Sequence, residues 1–209
     1  MRGPLTYEDI QAREDDAEDL GPEAHREAAA DFQAWANEPH PDDEPEASRA
    51  ELLVSAAAQL SMAGDHEPAL GLLREAAASG EHVSPDIRAY LINGLLECGL
   101  GEEADKVADD LRRERPADVM VHDLVGTAYE RADRLDVALR WFTSGTLRAA
   151  RADDDDVDDF DTFLLMASRY RVRQKMGFPP DDLDEVAAMG YDYAEEEWDE
   201  PEEGWGRPG

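Results

Sequence analysis

Three stretches of this 209-residue chain follow one plan, and they begin at Ala50, Pro85 and Val119, offsets of 35 and 34 residues. They read AELLVSAAAQLSMAGDHEPALGLLREAAASG, PDIRAYLINGLLECGLGEEADKVADDLRRERP and VMVHDLVGTAYERADRLDVALRWFTSGTLRA. A unit of this length cannot bury its own apolar face and must stack on its neighbours, so the repeat constrains the fold more than any single motif. Within each unit the apolar residues recur at helical spacing on either side of a short break. Leu53, Ala56, Ala57 and Leu60 precede Gly64-Asp65, and Ala69, Leu72, Leu73 and Ala76 follow it. Leu91, Ile92, Leu95 and Leu96 precede Gly99, with Ala104, Val107, Ala108 and Leu111 beyond. Val125, Gly126 and Tyr129 are followed by Ala138, Phe142 and Gly145. Alanine and leucine favour helix, and the strand formers Val, Ile and Thr are sparse. The pattern predicts an all-α fold, a short α-solenoid of about three helical hairpins (50–84, 85–118 and 119–152, within a repeat domain 48–152) with helical caps.

Start signals fall where this register needs them. Ser48 with Glu51 three residues later predicts a capping box. Ser84-Pro85 predicts a cap and a first-turn proline for the second unit, and Asp118 a cap for the third. Val125-Gly126, Tyr129, Ala138 and Phe142 form a large-small pair, an aromatic three residues on, then an alanine and a bulky residue four apart. Ala69 with Leu73 and Ala104 with Ala108 keep that last offset, and Pro116 closes a unit. On these residues the stretch 50–150 resembles the tetratricopeptide (TPR) repeat family, although Leu53, Arg88 and His122 stand where the family places a tryptophan. Gly126 and Ala138 are expected to let paired helices approach closely.

Residues 1–47 read as helices near 6–19 and 22–37 followed by a proline-rich acidic linker, 38–47. The helix at 22–37, with Phe32, Trp35 and Ala36 on one face, is expected to cap the first unit, because terminal repeats need a cover. Beyond the repeats, 153–190 reads as capping helices. The first spans 158–176 with Phe160, Phe163, Leu164, Ala167, Tyr170 and Val172, and ends at Gly177 before Pro179-Pro180. A short helix over 181–189 is expected to pack back through Leu183, Val186 and Met189. Residues 191–209, rich in Glu and Asp, read as a disordered acidic tail.

The net charge is −32, divided as −11 over residues 1–49, −8 over 50–118, +1 over 119–152 and −14 over 153–209. Such a field repels phosphate backbones and draws in basic partners, which argues against nucleic acid. No apolar run reaches the ~18 residues of a membrane span, and the N-terminus lacks a secretory h-region. The single cysteine, Cys98, excludes an internal disulfide. These features predict a cytoplasmic protein.

Sequence chemistry points away from an enzyme, a cofactor and a metal. Gly99-x-Gly101-x-x-Ala104 matches a dinucleotide fingerprint by letter but follows a helix, where the fingerprint needs a strand. The run Asp153–Asp156 lacks the sixth-position glycine and twelfth-position glutamate of a calcium loop. His25, His40, His66, His82 and His122 are scattered, and none sits at ligand spacing from Cys98. Arg169, Arg171, Arg173 and Lys175 are the one basic cluster, read as positive charge at a helix C-terminus, with the acidic tail or an acidic partner as alternatives.

The TPR resemblance implies a concave groove lined by first helices that holds a partner segment. Carried over by position, the groove residues are Val54, Ala58, Asp86, Asn93, Glu97, Asp123, Thr127, Glu130 and Arg131, with Ser61 and Ala89 beside them. A mixed apolar and acidic groove suits a protein or peptide segment bearing Lys or Arg. The expected role is therefore a protein–protein interaction scaffold. The rival is an acidic mimic that occupies a basic, nucleic-acid-binding protein.

Overall fold

A computed structural model describes residues 2–18, 20–150 and 159–184, with side chains in the last stretch from Asp161. Among these residues there are nine α-helices, one short 3₁₀ helix (Pro45–Ala47) and no strand. The helices are α1 (Tyr7–Asp15), α2 (Pro22–Asn37), α3 (Arg49–Met62), α4 (His66–Ser79), α5 (Ile87–Glu97), α6 (Gly101–Glu114), α7 (Val119–Arg131), α8 (Leu135–Ala149) and α9 (Asp159–Lys175). The acidic run 153–156, the tail 191–209, and Val186 and Met189 lie outside the described residues.

Packing runs between neighbours in sequence: α2 on α3, α3 on α4, α4 on α5, α5 on α6, α7 on α8 and α8 on α9. First helices also meet one another, α5 on α7 and α7 on α9. This is an all-α row of helical hairpins. Residues that the periodicity assigned to the core are there, with Ile92, Leu95, Ala104, Val125, Ala138 and Phe142 all fully buried.

The hairpin turns repeat as closely as the helices. Gly64 (φ 84°), Gly99 (φ 73°) and Asp133 (φ 58°) each adopt the left-handed conformation. At each, the next residue's N–H reaches back five residues, Asp65 to the Leu60 carbonyl (2.8 Å), Leu100 to Leu95 (2.8 Å) and Arg134 to Tyr129 (2.9 Å). That closure satisfies carbonyls that would otherwise be orphaned at the helix end. Gly177 (φ 72°) ends α9 in the same way, with Phe178 N–H donating to the Arg173 carbonyl at 3.0 Å. So α9 carries the turn of a first helix.

Gly126 shows why the unit needs a small residue. A Cβ there would lie 2.5 Å from the Phe142 ring, and one at Gly145 would lie 2.6 Å from the His122 Cβ. Close helix approach is therefore built on missing methyl groups at α7–α8.

Three local expectations need correction. Ser48 accepts from the Glu51 N–H (3.3 Å), but the Glu51 carboxylate accepts from Ser84 N–H (2.8 Å) instead of closing a capping box. The second unit starts two residues later than Ser84, because Asp86 accepts the Arg88 N–H (2.9 Å) and pairs with the Arg88 guanidinium. Helix α1 stops at Asp15, short of 19, where Glu14, Asp15, Asp16 and Glu18 would crowd negative charge at a helix C-terminus. Asp118 caps α7 as expected, accepting from Met120 N–H at 2.8 Å.

Candidate functional site

The face expected to hold a partner belongs to α3, α5 and α7, and α9 extends it. Of the residues placed there, Ala58 and Arg131 are exposed, and Asn93 and Thr127 are half-buried. Val54 is not a groove residue: it is 6% exposed, in one apolar cluster with Leu5, Ile10 and Ala17 of the N-terminal segment. Ala89 is likewise fully buried. Helix α1 reaches the middle of α3, where the Glu14 carboxyl lies beside Ser55. Burial raises the Glu14 carboxyl above its ordinary pKa, against the lowering effect of Ser55. The segment is held to the linker by Arg2, whose guanidinium pairs with Asp43 (2.7 Å), while Asp43 also accepts from Leu5 N–H (2.9 Å) and His40 N–H (2.8 Å).

Three of the four acids expected to face a basic partner have partners inside the chain, and the fourth, Asp123, keeps a buried Oδ1 without one. Asp86 is paired with Arg88, which also pairs with Glu114 at 2.7 Å. Glu97 accepts from Ser61 Oγ (2.6 Å) and Asn93 Nδ2 (3.0 Å) and lies 3.3 Å from His66 Nδ1. Asp123 is half-buried against Ser168; burial raises its carboxyl pKa even though Ser168 and Arg171 pull it down. Glu130 has a side chain only 7% exposed, and accepts from Arg171 (2.8 Å) and Lys175 (2.7 Å). Burial alone would raise the Glu130 pKa; the two cations outweigh it and bring it below the ordinary value. Glu97 and Glu130 are thus cross-links between first helices, Asp86 is spent on capping its own helix, and a carboxylate so engaged has little left to offer a ligand.

The basic cluster resolves into two faces set by i, i+4 spacing. Arg171 and Lys175 meet Glu130 on α7. Arg169 and Arg173 meet Asp181 and Asp184, which follow the turn: Arg169 pairs with Asp184 and with Asp181 (2.6 Å), and Arg173 with Asp184 (2.7 Å). Arg169 and Asp184 are buried, with side chains 5% and 1% exposed. Asp181 is held down to about 2, first by its hydrogen bonds from Arg169. The acids that matter are three residues apart, Asp181 and Asp184, a spacing that matches Arg169 and Arg173 and was the available signal.

Cys98 caps the C-terminal end of α5, and burial, with Glu67 and Glu97 adding, raises its thiol pKa, which favours the unreactive thiol. Gly99 forms a left-handed turn and Gly101 opens α6, so the glycine pair belongs to a hairpin. Among the described residues no group of three or more His, Cys, Asp or Glu is arranged to hold a metal ion, and no helix is long and apolar enough to cross a membrane.

Fold and face together define an all-α helical-repeat protein in which a hydrogen bond ties α3 to α5 and ion pairs tie α7 to α9. No family model matches the chain, and no curated protein matches it.

Proposed function

We propose that this protein is a non-enzymatic, cytoplasmic scaffold of TPR-like hairpins that holds a segment of a partner protein against its first helices. The observation that carries the reading is the continuity of that face: α5 lies on α7 and α7 on α9, and Glu97 and Glu130 already cross-link it. A face ordered before its ligand arrives loses little entropy on binding. The TPR-like assignment is supported by the offsets of 35 and 34, the recurring left-handed turns and the seating of Phe142 against Gly126. The partner carries basic residues, drawn in by the −32 charge as a whole field and not by pairing with Asp86, Glu97 or Glu130. Direct contact falls to Ala58, Thr127 and Arg131.

Capture from host lysate, comparing the wild-type chain with Ala58→Arg/Thr127→Arg, tests this. Neither side chain belongs to the cross-linking networks, so circular dichroism should be unchanged. Loss of a partner from the variant alone, reproduced with the purified partner, is the expected result. Equal recovery by both proteins would remove binding from this face.

A further inference from the structure

The second helix of the middle hairpin departs from its two siblings at positions that matter for packing. Counted from the turn residues Gly64, Gly99 and Asp133, the sixth position holds Leu70, Asp105 and Leu139, and the ninth holds Leu73, Ala108 and Phe142. The middle unit therefore has a carboxylate and a methyl group where the others have large apolar side chains. The consequence shows in the stack. Each other second helix lies against the first helix that follows it, α4 on α5 and α8 on α9, but among the described residues α6 makes no comparable contact with α7. Asp105 spans the junction instead, accepting from the Tyr129 hydroxyl (2.8 Å) and from Arg134 (2.7 Å).

What remains is a cleft of about 210 Å³ between α6, the end of α7 and α8. Ala108, Val137 and Trp141 give it apolar walls, and Arg112, Arg134 and Arg140 are the basic residues that line it. In a chain with 52 acidic and 20 basic residues, a cleft lined by three arginines against two aspartates stands out. Arg134 also lies over the Tyr129 ring, 5.0 Å from its centroid, which fixes its plane. Of the two acids lining the cleft, Asp105 is taken by Tyr129 and Arg134, and Asp109 by Arg112 at 3.0 Å. Arg140 donates to Asp136 outside the cleft. A guanidinium carries five N–H donors, so each of the three has donors beyond those bonds.

We propose that this cleft binds a small oxyanion, a phosphate or carboxylate group carried by a small molecule. The guanidinium fork matches both groups in a bidentate manner, which a lysine could not do. The volume lies below the ~300 Å³ where pockets for drug-sized ligands begin, so the ligand is a single anionic group with few further atoms. The negative charge of the rest of the chain is screened beyond ~10 Å at ordinary salt; Asp105, Asp109 and Asp136 each balance one of the three arginines, so the spare N–H donors, and not a net charge, hold the anion.

Isothermal titration of the full chain with inorganic phosphate and, separately, with citrate, at matched ionic strength in chloride, tests the proposal. Saturable binding of phosphate alone assigns the phosphate class, of citrate alone the carboxylate class, and of both the shared chemistry. Arg112→Gln/Arg140→Gln, at side chains 58% and 61% exposed, should keep the fold and weaken binding by ~tenfold or more. Ala108→Leu restores the bulk of its siblings; it should fill the cleft, abolish binding and leave the melting temperature equal or higher. Absence of saturable binding of either anion up to ~10 mM, where even weak sites register, or equal affinity in the arginine variant, would overturn the proposal.

Discussion

The junction of α2 with α3 and the junction at the end of α9 are made of opposite materials. The first draws on Ala28, Phe32 and Ala36 of α2 and Ala50, Leu53 and Ala57 of α3, all in one buried apolar cluster. The second adds to the apolar Leu165 and Val172 a set of charges, the buried Arg169 and Asp184 with the more exposed Arg173 and Asp181. Alanines packed on a ring need only proximity, and tolerate any neighbour of similar volume. Charges removed from water must each meet a partner in one geometry, or the desolvation cost is uncompensated. The N-terminal junction is thus forgiving, and the C-terminal one is specific. It fixes where residues 178–184 lie, because Asp181 and Asp184 bring two carboxylates to two guanidiniums.

The contrast can be broken from the apolar side first. Phe142→Ala removes a fully buried ring seated on Gly126 and should cost ~3–5 kcal/mol in denaturant unfolding. A loss below ~1 kcal/mol would show that the ring is not where the repeat register puts it. Next, Asp184→Ala leaves Arg169 buried with half its partners. It should cost up to ~3 kcal/mol, or release residues 178–184 to proteolysis if that segment detaches at lower cost. The double variant Arg169→Met/Asp184→Leu should recover most of that loss. Failure to recover would mean that the segment is held by something other than the ion pairs.

Acid should pull the two ends of the molecule in opposite directions. Asp181 has a folded pKa of about 2, below the unfolded ~3.9, so its stabilisation is present above pH ~4 and is lost as pH falls through 2. Glu14 is raised by burial, so α1 docking is favoured below its unfolded pKa of ~4.3 and weakens as pH rises through the raised value. Hydrogen exchange followed by mass spectrometry, corrected for intrinsic rates, should show residues 7–15 tightening as pH falls through the raised Glu14 value, above the range where Asp9 and Asp43, both held below the ordinary carboxylate pKa, are protonated, while residues 178–184 loosen as pH falls below ~4. The same response at both ends would refute the contrast. The smallest effect belongs to Lys175→Ala, whose ammonium is half-exposed on Glu130; ~0.5 kcal/mol or less is expected in a thermal melt.

The hairpins were legible because their cause is local. Helical spacing of Leu53, Ile92 and Phe142 names the buried face, and a glycine at 64, 99 or 177 supplies the left-handed turn wherever it occurs. Such signals act within a few residues, so a sequence carries them whole. The binding face was legible only as a set of helix positions. Val54 sits at a groove position, yet Leu5, Ile10 and Ala17, some forty residues away in the chain, share its apolar cluster. Glu130 reads as a free acid until α9 brings Arg171 and Lys175 beside it.

By itself, then, the sequence determined the all-α class, the repeat and the turns. Tertiary structure decided which acids are cross-links, which face α1 covers and that the middle unit opens a cleft beside Arg112, Arg134 and Arg140. The reason is range: helix and turn preferences are set by neighbours in the chain, whereas a charge finds its partner only when packing has brought distant segments within hydrogen-bond reach.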